Sequence, residues 1–395
     1  MNFDIIIIGA GIIGLTTAYH LKQRNQHLKI AIIDKEDKVA SHASGRNSGV
    51  LHAGFSYTPG SFKANFARKG NLALKEYCRI HNIPICNNGK LVVARDETEL
   101  TVLYELDKKA KLNGVDVSLI NEKEVAAIEP KAQTFQLALY SPNTATTDPS
   151  LVCNQLTRDL QAKGIYFFFN TPYIKRIGNN GILGGNKQLF AERFINAAGM
   201  YADKIARDFG LGQKYCVLPL KGRFMETNDP RVDLKTNIYP IPNPNRPFLG
   251  VHFVVAPFGK VKIGPTATPV FWRENYGGLK RFIFSEFYDI LSKQLRLLKE
   301  NGADFRSLAY EELLKLNPMH LKGQAAGLVT NLDLGLFKKW GKVGIRAQLL
   351  NIEDLSFVQD FIVENGENSV HILNTVSPGF TCSFPFSEWV VDNYL

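Results

Sequence analysis

Three glycines and one acid near the start of the 395-residue chain have the types and spacing to hold a phosphate-bearing nucleotide: Gly9, Gly11 and Gly14, with Asp34 twenty positions beyond Gly14. Gly9 allows a tight turn, Gly11 lets the backbone approach a pyrophosphate, and Gly14 lets a helix pack closely on a strand. Phosphate then meets N–H groups at a helix N-terminus. Asp34 falls where an acid accepts a hydrogen bond from an adenosine ribose hydroxyl. Three glycines alone are weak evidence, so the surrounding elements decide. Ile5 to Ile8 read as a short strand buried on both faces, Ile12, Leu15, Ala18, Tyr19 and Leu21 follow helical spacing, and Ala31-Ile32-Ile33 is a second strand ending at Asp34. This is a βαβ unit for a dinucleotide, and its spacing does not say which one. A unit starting at residue 4 is common in flavoproteins, but position alone does not decide.

Composition bounds the rest. The length suits two domains, and 45% hydrophobic with 21% charged residues describes an ordinary globular chain rather than a disordered one. No apolar run approaches the length of a bilayer span, and no basic region precedes the first apolar run, so the expectation is cytoplasmic synthesis without a signal peptide. The five cysteines (Cys78, Cys86, Cys153, Cys216, Cys382) form no Cys-x-x-Cys pair, which argues against a disulfide framework, and no metal site is expected. The net charge of +10 is spread along the chain, with only short clusters such as Lys108-Lys109 and Lys338-Lys339. A solvated basic surface is preferred to nucleic-acid binding. Peripheral contact with an anionic membrane, such as an inner membrane, stays open.

After Asp34 comes a long loop of small and polar residues, and such segments inside compact domains usually carry function. Its continuation, Gly45-Arg46-Asn47-Ser48-Gly49-Val50-Leu51-His52-Ala53-Gly54-Phe55-Ser56-Tyr57-Thr58-Pro59-Gly60-Ser61, resembles the signature of the L-2-hydroxyglutarate dehydrogenase/oxidase family, a branch of the D-amino-acid-oxidase-like flavoproteins. The resemblance makes the dinucleotide FAD. It extends to Asn196-Ala197-Ala198-Gly199, similar to a second flavin fingerprint, and to Pro247-Phe248-Leu249-Gly250-Val251-His252, Ile263 to Ala267, Phe271 to Tyr276, Gly344 to Gln348 and Ser377-Pro378-Gly379. It fades between about 280 and 340. Thr375-Val376 stands where the family usually has an alanine-proline pair.

The elements that position these motifs follow from periodicity and punctuation. Helices are expected over 62–83, 97–113 (stopped by Gly114), 121–128 and 148–164, the last with Asp148 as cap and Pro149 in the first turn. Strands are expected over 91–94, 165–169 and near 190–196. Short strands separated by prolines between 218 and 253 suit an antiparallel sheet, and 280–317 reads as helical. The fold class is α/β, a Rossmann-like doubly wound FAD-binding sheet (1–84, 146–215 and 340–395) joined to a largely antiparallel β substrate domain of α+β type (85–145 and 216–339).

Oxidising an α-hydroxy acid requires a hydride to reach the flavin, the hydroxyl proton to reach a base, and each carboxylate to meet a cation. The resemblance places His252 and His52 in family-like motifs. His252 is the expected general base, with His52 as base or ring-orienting residue, and an unperturbed histidine titrates near working pH. Bidentate arginine suits a dicarboxylate, so Arg346, Arg46, Arg223 and Arg273, with Lys221, Tyr57 and Tyr239, are the expected substrate contacts. Arg346 leads because it lies between apolar residues, where an unpaired guanidinium is costly. FAD contacts are expected from Gly9, Gly11, Ile12, Ile13, Gly14, Asp34, Lys35, Ser44, Arg46, Asn47, Ser48, Ala198, Gly199, Ser377, Pro378, Gly379, Phe380 and Thr381. The implied function is FAD-dependent oxidation of L-2-hydroxyglutarate, or a close 2-hydroxy acid, to the 2-oxo acid, with oxygen or a membrane quinone as electron acceptor. The alternatives are an amine or amino-acid oxidase of the same superfamily and a flavin-binding protein without dehydrogenase activity.

Overall fold

A computed structural model describes the backbone of residues 1–242, 250–300 and 302–395, and their side chains except those of 302–305 and 308. The Pro247-Phe248-Leu249 part of the expected substrate motif lies outside the described residues. The isoleucine run forms the strand Asn2–Ile8, central in an eight-stranded sheet. Parallel to it run Ile30–Ile33 on one side and Lys187–Asn196 on the other, with Tyr166–Phe168 and Ser369–Asn374 extending the parallel set. Ile6 and Ile7 are fully buried. The apolar run therefore has a direct cause: helices Ile12–Arg24, Phe62–Ile80, Pro149–Ala162 and Gly379–Tyr394 pack on one face, and Ile182, Leu189 and Ile205 pack on the other. Each such isoleucine contributes about 1.5–3 kcal/mol of burial.

A second eight-stranded sheet is mostly antiparallel. Its order is Lys339–Trp340, Met225–Thr227, Lys260–Gly264, His252–Ala256, Asn237–Pro240, Lys90–Val93, Leu137–Ser141 and Ser118–Asn121, with one parallel pair between Asn237–Pro240 and Lys90–Val93. Between the sheets in sequence, Tyr215–Gly222 pairs antiparallel with Gly344–Asn351 and with Thr268–Pro269. This pairing brings Arg346 opposite Leu220.

The expected helices are present with shorter ends. The helix expected to reach residue 83 stops at Ile80, because Asn82 takes a left-handed φ of 52° and breaks the repeat ahead of Pro84. The 280–317 segment is two helices, Phe284–Glu300 and Gly302–Leu314. Asp148 caps Pro149–Ala162 by accepting from the Ser150 N–H at 2.8 Å.

Candidate active site

The first turn is built as its glycines require. Gly9 has a φ of +113°, and a Cβ there would stand 2.5 Å from the Ala197 carbonyl oxygen. A Cβ on Gly14 would stand 2.0 Å from the Gly9 carbonyl oxygen, so only glycine lets the helix lie this close to the strand. The helix begins at Ile12 with Gly11 as an N-cap that offers no side-chain acceptor, which turns its positive end toward a cavity of about 1040 Å³. Ser44 Oγ accepts from the Ile12 N–H at 2.9 Å and holds the next loop against this turn.

Of the expected cofactor residues, Gly9, Gly11, Ile12, Ile13, Asp34, Lys35, Ser44, Arg46, Asn47, Ser48, Ala198, Gly199 and Ser377 through Thr381 line this cavity. Gly14 does not line it and acts through packing. Asp34 braces the turn, with Oδ2 accepting from Ala10 N at 2.7 Å and Oδ1 from Glu36 N at 2.9 Å. A second helix N-terminus, at Gly379, also lines the cavity without a side-chain cap. The volume, the small residues at the wall and the two helix N-termini suit an extended dianionic dinucleotide. Asp34→Ala is expected to lower the FAD that co-purifies with the protein, measured by flavin absorbance per chain; unchanged occupancy would make Asp34 only a strand-end brace.

His52 and His252 both line the cavity. His252 Nδ1 lies 2.7 Å from the Gly250 carbonyl oxygen and donates to it, which leaves Nε2 as the acceptor. The ring stacks on Tyr239 at 3.8 Å and meets Phe224 edge to face. Burial is the main cause that lowers both imidazoles to about 3. The expectation of a base titrating near neutrality is therefore corrected: both histidines are uncharged across the neutral range.

The expected cations separate into distinct roles. Arg346 lines the cavity, and burial lowers its guanidinium to about 10 against the opposing influence of Tyr57. Tyr239 lines it as well. Tyr57 does not; it is half-buried, close enough to Arg346 to feel its charge. Arg273 is corrected outright. It is 1% exposed, its guanidinium forms a two-point pair with Asp203 (2.7 and 2.8 Å), and its N–H donates to Glu286. Burial works to raise the Asp203 carboxyl, but the guanidinium more than offsets it. Arg223 stacks its guanidinium 4.7 Å from the Trp340 ring centre, and Lys221 donates to Asn275 at 3.3 Å; neither lines the cavity. Arg46 reaches the cavity wall, but Nε donates to the Ser41 carbonyl and Nη1 to the Val343 carbonyl, so it ties loops together rather than reading a carboxylate.

Two groups escaped the sequence reading. Around the acid-bearing strand end, Glu36 is held by Lys35, His42 and Arg281, and Glu274 by Lys35, Arg281 and Tyr201. Lys35, expected as a cofactor contact, spends its ammonium in this cluster. The segment around 274–281 supplies half the partners, and no local spacing links it to residue 36. The other missed group is Lys90, buried in the strand after Gly89.

Comparison with known proteins agrees with this geometry. A family model described as "FAD dependent oxidoreductase" (DAO) matches residues 4–393. The chain is 33% identical to an L-2-hydroxyglutarate dehydrogenase of Indibacter alkaliphilus, covering 100% of both chains. It is 32% identical to the mitochondrial L-2-hydroxyglutarate dehydrogenase of Nematostella vectensis, over 99% of this chain and 90% of that one. Among solved structures, the FAD-bound L-alpha-glycerophosphate oxidase of Mycoplasma pneumoniae aligns with a TM-score of 0.77 at 21% identity, covering 100% of this chain and 96% of that one. A glycine oxidase of Geobacillus kaustophilus gives 0.71 at 19%, covering 99% and 94%. At such identities the structural likeness speaks for the fold. Together with the glycine turn and the cavity, the match along nearly the whole chain shows that the protein belongs to the DAO family of FAD-dependent oxidoreductases.

Proposed function

We propose that this protein oxidises L-2-hydroxyglutarate, or a close 2-hydroxy diacid, to the 2-oxo acid. The observation that carries the reading is that two uncharged imidazoles, the buried His252 and the half-buried His52, line the same cavity as the Arg346 guanidinium and the dinucleotide turn. FAD, when bound, supplies the two-electron acceptor. Gly9 to Ile13, Asp34, Ser44, Ala198, Gly199 and Ser377 to Thr381 would hold it. Arg346 fixes a substrate carboxylate through its planar fork. His252 Nε2 takes the hydroxyl proton, while its Nδ1–H stays anchored on Gly250. Tyr239 and Phe224 keep the imidazole flat and exclude water. The division into nucleotide-binding segments (1–84, 146–215, 340–395) and substrate segments (85–145, 216–339) belongs to the same proposal, supported by one largely parallel and one largely antiparallel sheet.

Anaerobic addition of L-2-hydroxyglutarate is expected to bleach the flavin, while glycine, sarcosine and D-amino acids leave it oxidised. Bleaching by an amine instead would favour the oxidase alternative, and bleaching by neither class would favour a flavin-binding protein without dehydrogenase activity. In the same assay Arg346→Lys keeps the charge and loses the fork, so KM for the diacid rises with flavin content unchanged. An unaltered KM would remove Arg346 from substrate binding.

The electron acceptor we propose is oxygen or a membrane quinone, reached in the latter case by peripheral contact. No helix among the described residues is long and apolar enough to cross a membrane. Leu279, Phe282, Ile283, Phe284 and Tyr288 are, however, exposed together beside Lys280, and such a patch on a chain of net charge +10 suits an anionic bilayer surface. Flotation with anionic vesicles should carry the protein upward, and Phe284→Ser with Leu279→Ser should weaken it; a parent protein that stays at the bottom at low salt excludes the contact.

A further inference from the structure

Lys90 opens the strand Lys90–Val93 and is only 5% exposed. Its Nζ lies 3.9 Å from the centre of the Tyr239 ring and 4.9 Å from that of Phe55. His252 stacks on the same Tyr239 ring at 3.8 Å, tilted by 15°. One ring face cannot hold an imidazole and an ammonium both within 4 Å, so the two groups occupy opposite faces of Tyr239. The charge of Lys90 bears on His252 and on His52, and His252 bears on His52 in turn. Lys315 adds a further positive influence on His252, with Glu312 bonded to Lys315 and to the Ala267 N–H. Tyr57 lies close enough to both Tyr239 and Arg346 to feel each of them. Among the described residues no carboxylate forms an ion pair with Lys90.

We propose that Lys90 is a positioning residue for the proton transfer: its ammonium, clamped on the face of Tyr239 away from His252, adds to burial in holding His252 and His52 in the uncharged, proton-accepting form. A proton placed on either imidazole adds a second positive charge beside the Lys90 ammonium, so protonation is disfavoured before substrate arrives, and an imidazolium formed by turnover is driven to release its proton. Burial pushes the Lys90 ammonium down to about 7. Its hold is therefore complete below that pH, in the range where an ordinary histidine would become charged, and fades above it, where an imidazole is uncharged without help.

The inference rests on the reading that this cavity oxidises a hydroxy acid, but its test needs no substrate. In FAD-loaded protein labelled at histidine Cε1, the two resonances are assigned with His52→Gln and His252→Gln and titrated by NMR from pH 3 to 8. The parent and Lys90→Arg are expected to show both imidazoles uncharged down to about pH 4. Each unit of positive charge removed should raise the midpoints by about one pH unit, so they climb in the order Lys90→Met, then Lys90→Glu, with the acid limb of flavin reduction moving in step. Lys90→Gln replaces Lys90→Glu if that variant does not hold flavin. Midpoints that ignore the charge at position 90 overturn the proposal. So does loss of flavin from every uncharged variant while Lys90→Arg keeps it, since Lys90 would then be a structural support. If the midpoints follow charge while no hydroxy acid bleaches the flavin, the inference holds and the substrate reading fails.

Discussion

His252→Ala is expected to keep its fold and its FAD and to slow flavin reduction by about 10² to 10⁴, the range lost when a positioned general base is removed. The hydrogen bond from Nδ1 to the Gly250 carbonyl already fixes which nitrogen accepts. Because burial lowers the imidazole to about 3, the base is ready throughout pH 5 to 8, and the parent enzyme should show no acid limb near neutrality. Activity lost to protonation of this group appears only as the pH falls well below 5. Anaerobic stopped-flow measurement of flavin bleaching across pH gives both quantities. A parent-like rate in His252→Ala together with a slow His52→Ala would move the base to His52 and make His252 a wall of the pocket.

Arg273→Met should cost about 3–5 kcal/mol of stability, the penalty for leaving one member of a buried ion pair alone. Asp203 is fully buried, and both of its oxygens take a guanidinium N–H; Oδ2 also accepts from the Val217 N–H at 3.0 Å. Removing the guanidinium leaves the carboxylate with the Val217 N–H and the more distant Arg207 guanidinium at 3.9 Å, and takes away its two closest donors. Glu286 keeps the Arg273 backbone N–H and its 2.8 Å pair with Lys204 but loses the Arg273 Nε at 3.9 Å, which carries part of the loss to the helix Phe284–Glu300. A fall in melting temperature with KM unchanged in the surviving protein is the expected result, and Asp203→Asn added to Arg273→Met should recover part of it. A stable Arg273→Met protein with a raised KM would return Arg273 to the substrate site.

The nucleotide-binding half was legible because its determinants are local. A buried parallel strand needs a continuous apolar run, a close helix needs Gly14, and a turn at φ +113° needs Gly9; each requirement acts over a few residues and leaves its mark on spacing. Asp34 and the helix cap at Asp148 are of the same kind. His52 and His252 were found through motif resemblance, but their charge state was not, since it comes from burial that no motif encodes. The cations divide most clearly. Arg46, Arg223, Arg273 and Arg346 look alike in sequence, yet one ties loops, one stacks on Trp340, one neutralises Asp203 and one lines the cavity. What a guanidinium does depends on which anion, ring or carbonyl reaches it, and for Arg273 that partner lies seventy positions away. Sequence alone thus determined the strand, the turn and the dinucleotide they hold. Only tertiary structure decided which charges are spent inside the protein and which, like Arg346, face the cavity, because burial and pairing are set by long-range contacts rather than by neighbours along the chain.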